Sequence, residues 1–133
     1  MNKVLYHYTA RWHLQSIMRS KFLKLTESNL RADITMYKPV VWLTTLKDPD
    51  EQALGLNGST VDKTELRITV RKQPHYMWWN KFSKRHKIDK EWQKILEENR
   101  KPKTWFVSER IIPLEDILKI ENRYTGEIYY EQK

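Results

Sequence analysis

One histidine, two threonines and a tryptophan lie in two short apolar segments of this chain. His7 and Thr9 end a segment that reads Val-Leu-Tyr-His-Tyr-Thr, and Trp42 and Thr44 belong to one that reads Val-Val-Trp-Leu-Thr-Thr. Both compositions are typical of β-strands. An imidazole at the end of a strand can donate to a ribose hydroxyl while its other nitrogen bonds to the backbone. These residues suit a nucleotide-binding cleft, and the alternative for His7 is a histidine that only satisfies the core.

Arg67 is a second candidate for binding a nucleotide. It lies in the alternating segment Thr64–Arg71, in which the apolar residues share one face and Arg67 belongs to the other. A guanidinium in that position can hold a pyrophosphate through two parallel hydrogen bonds. The alternative is an arginine exposed on a solvated face of the sheet.

Basic residues are concentrated between positions 77 and 103, which hold nine Lys or Arg and four acids. Trp78, Trp79 and Phe82 are interleaved with the first of these cations. Lysine and arginine neutralise phosphates, and aromatic rings offer stacking platforms for unpaired bases. The alternative is an amphipathic helix pair with its aromatic rings packed inward and its lysines solvated. The candidate surface for nucleic acid or an acidic protein partner comprises Lys81, Lys84, Arg85 and Lys87.

The composition restricts the class of protein. The chain has 133 residues, a net charge of +8 and no cysteine, so disulfides, thiol catalysis and cysteine-bound zinc are excluded. It has no apolar run long enough to cross a membrane. Its four histidines have no metal-ligand spacing with acids, so no metal is expected. We expect a single cytoplasmic domain, 1–133, that favours polyanionic partners.

The elements that must position these residues alternate between strand and helix patterns. A strand over Val4–Tyr8 precedes a helix over Ala10–Ser20 with Thr9 as its N-cap. Asp48 begins a second helical pattern, and the segment Tyr76–Asn99 reads as two helices broken at Lys87–Asp89. A strand at Trp105–Val107, one helical turn at Pro113–Ile117 and a hairpin around Thr125-Gly126 follow. This order predicts an α+β domain with a mostly antiparallel or mixed sheet.

The first strand, the helix after it and the Trp-Leu-Thr-Thr segment together resemble the N-terminal half of the ADP-ribosyltransferase superfamily. That resemblance implies a split mixed or antiparallel sheet core with flanking helices, and NAD as the cofactor. It implies that His7 holds the adenosine ribose, that Thr9 and Thr44 line the cleft, and that Trp42 or Tyr8 packs on the nicotinamide. The position of the family's glutamate is occupied by Thr104, and Glu109, five residues on, is the candidate catalytic residue.

Two functions follow from this resemblance and from the charge of the chain. The first is an NAD-binding mono-ADP-ribosyltransferase-like protein that modifies a protein or nucleic acid. The second is a non-catalytic module on the same scaffold, which binds nucleic acid or a protein partner through its basic surface and acts as an inhibitor. Neither the acceptor nor the oligomeric state follows from the sequence.

Overall fold

The protein is described by a computed structural model over residues 3–25, 31–32, 35–36, 39–49, 62–98 and 100–133. It is an α+β structure, and every strand pair that these residues form is antiparallel. The strands are β1 (Val4–Thr9), β2 (Phe22–Leu23), β3 (Arg31–Ala32), β4 (Thr35–Met36), β5 (Val41–Thr44), β6 (Leu66–Arg71), β7 (Met77–Trp78), β8 (Trp105–Ser108), β9 (Ile112–Pro113), β10 (Ile117–Asn122) and β11 (Ile128–Glu131). The helices are α1 (Leu14–Ser20), α2 (Trp79–Arg85) and α3 (Lys90–Glu97), with 3₁₀ turns at Arg11–His13, Pro102–Thr104 and Leu114–Asp116.

Seven of the strands form one sheet in the order β11-β10-β6-β1-β5-β8-β7. The pairings of Tyr6 with Thr44 and of Thr44 with Trp105 fix how β1, β5 and β8 lie beside each other. Because β5 is antiparallel to both neighbours, β1 and β8 run in the same direction and end at the same edge of the sheet. The strands that carry the three candidate motifs are therefore consecutive in the sheet.

Both faces of the sheet are covered, since side chains alternate along each strand. The first face packs against α1, and its core includes Leu5, Leu43 and Ile68 together with Ile17 of the helix. Leu14 and Met18 pack on the same core, as their helical spacing with Ile17 predicts. The opposite face packs against α2 and α3, with Trp79, Phe82, Leu96, Trp105 and Val107 at its centre. None of the helices described is long and apolar enough to cross a bilayer.

Three local predictions were wrong. Thr9 is the last residue of β1 and caps no helix, because the chain first forms a 3₁₀ turn with Ala10 at its N-cap and no side-chain cap bond. The mixed polar and apolar residues of Asn29–Lys38 predict a loop or an irregular helix, whereas β3 and β4 form a two-stranded pairing within that segment. Trp78 belongs to a strand that pairs with β8 rather than to the helix that follows it.

Other expectations are confirmed. The helical segment is interrupted at residues 86–89, and Asp89 caps α3 by accepting a hydrogen bond from the Glu91 amide at 2.9 Å. The C-terminal hairpin turns at Gly126, whose φ of +78° suits a residue without a side chain. The helix predicted from Asp48 falls mostly on positions outside the described residues, and the side chains of Trp92 and Ile95 also lie outside the description.

Candidate functional site

His7 is anchored to the neighbouring strand through one ring nitrogen. Its Nδ1 lies 2.7 Å from the carbonyl oxygen of Trp42. A carbonyl only accepts, so Nδ1 carries the proton in this bond. Burial lowers the pKa of His7, although the backbone hydrogen bond opposes that shift. The imidazole is therefore neutral at pH 7, and its Nε2 is an acceptor rather than the donor that the sequence suggested.

A small cavity lies between His7 and α1, with a volume of about 150 Å³. The chain folds back around it because Lys21 ends α1 in the left-handed conformation, at φ +66°, with its amide bonded to the carbonyl of Ile17 at 2.8 Å. That turn brings the start of β2 and Lys24 to the opening. The polar residues that line the cavity are His7, Thr9, His13, Ser16, Ser20 and Lys24. Hydroxyls and one cation beside a neutral imidazole can bind a sugar and an adjoining phosphate.

Trp42 and Thr44 point away from this cavity, onto the opposite face of the sheet. The Trp42 ring lies 5.0 Å from the Trp79 ring and 5.7 Å from the Trp105 ring, measured between centroids. The Thr44 hydroxyl is buried and bonds to the hydroxyl of Thr104 at 3.1 Å. Thr104, the residue next to β8 that was compared with a glutamate in the sequence, therefore lies beside the Trp42–Thr44 segment. In the described part of the chain, the side chains of Trp42 and Thr44 thus contribute to packing and hydrogen bonding at this end of β5.

Tyr8 and Arg67 lie side by side on that same opposite face. The Tyr8 hydroxyl donates to the carbonyl oxygens of Leu46 and Lys47, and burial raises its pKa. Arg67 donates from Nη1 to the carbonyl of Lys47 at 2.8 Å and to Asp48 at 2.7 Å, and from Nε to Glu121 at 3.2 Å.

Arg67 is buried, so the expectation of an exposed arginine on a solvated face was wrong. Its charge is balanced by two carboxylates, and its side chain does not lie in the His7 cavity. The pyrophosphate role stays a prediction.

Glu109 follows β8 and contacts the end of α2, which packs on the face of the sheet opposite the His7 cavity. Its Oε1 lies 2.9 Å from Nε2 of His86, the residue that ends α2. The ends of β1 and β8 are two strand spacings apart, about 10 Å. Glu109 nevertheless lines another cavity, of about 560 Å³, which shares no lining residue with the cavity beside His7.

The four cations predicted to form a binding surface are exposed, but they separate into two pairs. Lys81 and Arg85 line the 560 Å³ cavity, whereas Lys84 and Lys87 are not among its lining residues. Sequence reasoning missed two cationic residues of this cavity, Lys72 and Arg110, which lie outside the basic segment. Trp78 also lines the cavity and was expected as a stacking platform, although it was assigned to a helix.

Comparison with known proteins finds no match to the chain among family models, curated proteins or solved structures. Within the described ranges, no three His, Asp or Glu side chains converge in a way that could hold a metal ion. The geometry of the two cavities is therefore the basis for a functional proposal.

Proposed function

We propose that this protein is an ADP-ribosyltransferase-like protein that binds NAD, with a ribose of the dinucleotide in the His7 cavity. The observation that carries the proposal is the bond between His7 Nδ1 and the Trp42 carbonyl. It fixes a neutral imidazole at the end of β1 with an acceptor nitrogen available for a ribose hydroxyl. The neighbouring hydroxyls of Thr9, Ser16 and Ser20 add further partners for the sugar.

The size of the cavity limits what it can enclose. Its volume of about 150 Å³ is below the roughly 300–1,000 Å³ typical of sites that enclose a drug-sized ligand. The cavity therefore accommodates one sugar, and the remainder of NAD lies along the surface. Lys24 at the cavity wall is placed to contact a phosphate next to that sugar.

The transfer step requires a carboxylate that stabilises positive charge on the nicotinamide ribose. None of the described residues that line the His7 cavity is an acid. Glu109, which follows β8 at the edge of the sheet where β1 also ends, is the residue proposed for this role. Binding of NAD and transfer of ADP-ribose thus involve different residues and are measured separately.

Binding is tested by calorimetric titration of NAD into the wild-type protein and into His7→Ala. Loss of one hydrogen bond to a sugar predicts about a tenfold weaker affinity. His75→Ala, which removes a histidine from the other cavity, is the matched control and should bind NAD as the wild type does. Equal affinity of the wild type and His7→Ala would overturn the binding proposal, as would no binding of NAD by the wild type.

Transfer is tested by incubating isotopically labelled NAD with a cell lysate and the protein, followed by mass spectrometry of protein and nucleic acid for an ADP-ribose adduct. Glu109→Gln should abolish the adduct and leave the affinity for NAD unchanged. An adduct formed equally by the wild type and Glu109→Gln would remove Glu109 from the mechanism. Binding of NAD without any adduct would reduce the function to nucleotide binding.

A further inference from the structure

A basic cleft runs along the edge of the sheet near β7, and it shares no lining residue with the His7 cavity. It consists of the 560 Å³ cavity and an adjoining one of about 390 Å³, which share Lys72, Gln73 and Pro74. Six cationic residues from four separate parts of the chain line the two cavities. They are Lys3, Arg71, Lys72, Lys81, Arg85 and Arg110.

The positive charge of this cleft is poorly balanced by acids. Of the described residues that line the two cavities, Glu109 alone is acidic, and it pairs with His86. Asp116, at the border, accepts a hydrogen bond from Gln73. Arg71 donates to two neutral oxygens, the carbonyl of Glu115 and the amide of Gln132. Lys72 lies over the Phe106 ring, with 5.1 Å between Nζ and the ring centroid. The cleft therefore complements a ligand that carries several negative charges in a row.

An aromatic ring is held in place within the same cleft. Trp78 is 39% exposed although it belongs to a strand, and its indole N–H donates to the carbonyl of Lys103 at 3.0 Å. That bond and the pairing of β7 with β8 restrict the orientation of the ring. An exposed, oriented indole among cations is the combination that stacks on an unpaired base while the backbone phosphates contact lysine and arginine.

We propose that this cleft binds a single strand of nucleic acid. The phosphates contact Lys72, Lys81, Arg85 and Arg110, and a base stacks on Trp78. A duplex offers the same phosphates but keeps its bases stacked inside, so it forgoes the contact with Trp78. An acidic protein segment would use the cations and leave the indole unused. This binding does not depend on NAD or on His7.

The test is fluorescence anisotropy with labelled oligothymidylate and oligouridylate, each about 15 nucleotides long, from 50 to 200 mM salt. Lys81→Gln/Arg85→Gln removes two cations that line the cleft. Lys84→Gln/Lys87→Gln is the matched control, because it removes two cations from the same helix and the turn after it, outside the cleft. We expect at least a tenfold loss of affinity for the first variant and less than a twofold loss for the second.

The salt dependence separates phosphate contacts from stacking. Loss of the two phosphate contacts in Lys81→Gln/Arg85→Gln should reduce the slope of log K against log salt by about 1.4, since each contact with a single strand contributes about 0.7. Trp78→Leu should weaken binding about tenfold with an unchanged slope, since it removes stacking and no charge. Oligothymidylate and oligouridylate differ in both the sugar and the methyl group of the base, and both should bind, because the cleft contacts phosphates and one face of a base.

Three outcomes would overturn the proposal. They are an equal loss in both double variants, a duplex of the same length that binds as tightly as the single strand, and full competition by polyglutamate at equal charge. The third would identify an acidic protein as the partner. Circular dichroism of each variant checks that the substituted proteins are folded, and His7→Ala should bind the oligonucleotides as the wild type does.

Discussion

Arg67 and Glu121 lie directly opposite each other on neighbouring strands and form a buried ion pair, with 3.2 Å between Nε and Oε2. Both residues are buried, and Asp48, the second acid that contacts Arg67, is largely exposed. Charges removed from water in this way are stable as a pair and costly when one partner is lost.

Removal of Glu121 alone should therefore lower the free energy of unfolding more than replacement of both Arg67 and Glu121 by apolar residues. We expect Glu121→Ala to lower the free energy of unfolding by about 3–5 kcal/mol, because it leaves the Arg67 charge buried beside a single, exposed acid. Arg67→Met/Glu121→Leu should cost less than that single change. Urea denaturation of the three proteins measures the difference, and a double variant less stable than Glu121→Ala would contradict this account.

The stability of the protein should fall on acidification because of its histidines. Burial lowers the pKa of His7 below its usual 6.5, and burial also lowers those of His13 and His75. Below pH 6.5 the unfolded chain binds protons at these sites that the folded chain does not, so stability decreases as pH falls and is retained above pH 6.5.

Urea denaturation at pH 7.5 and 5.5 tests the share of His7 in this dependence. His7→Gln keeps a polar side chain but cannot titrate, so the difference in stability between the two pH values should be smaller than in the wild type. His86→Gln is a control with an intact His7 anchor. An identical pH dependence in His7→Gln and the wild type would show that the His7 imidazole is accessible to protons in the folded state.

Trp79 should contribute strongly to stability, unlike Trp12. Trp79 is 1% exposed, stacks on Phe82 and donates its indole N–H to Glu97 at 2.7 Å, so it joins α2 and α3 to the sheet. Trp79→Ala is expected to cost about 3–5 kcal/mol. Trp12 is 68% exposed, and Trp12→Ala should change stability by less than about 0.5 kcal/mol. Thermal denaturation followed by circular dichroism distinguishes the two, and comparable losses would mean that Trp12 packs in solution.

The N-cap of α3 should contribute less to stability than Trp79 does. Asp89→Ala removes the acceptor for the Glu91 amide and should cost about 1 kcal/mol. Asp89→Asn retains a capping oxygen and should cost less, which separates the hydrogen bond from the charge. Denaturant titration of both variants measures the cost, and equal losses would assign the effect to charge alone.

The sequence was most informative where local patterns decide the structure. The alternation of Leu66, Ile68 and Val70 predicted β6, because one face of that strand is fully apolar and buried. The break at Lys87–Asp89 predicted the start of α3, and Asp89 supplies its cap, since capping depends on residues close in sequence. The α+β class followed from the same local signals.

Long-range pairing was beyond the reach of those patterns. Arg67 looked exposed because nothing near it in sequence shows that Glu121 and Asp48 converge on its guanidinium. Trp78 looked helical because the segment after it is a helix, and only the pairing with β8 makes it a strand. The separation of His7 from Trp42 onto opposite faces depends on the register of β1 with β5, which the sequence does not specify.

The anchor of His7 on a main-chain carbonyl has a consequence for residue 42. The carbonyl is present whatever side chain stands there, so strand register alone determines where the imidazole sits. The indole of Trp42, in contrast, packs among the described residues in the cluster with Trp79 and Trp105. A substitution at position 42 should therefore change the packing of the aromatic cluster without displacing His7.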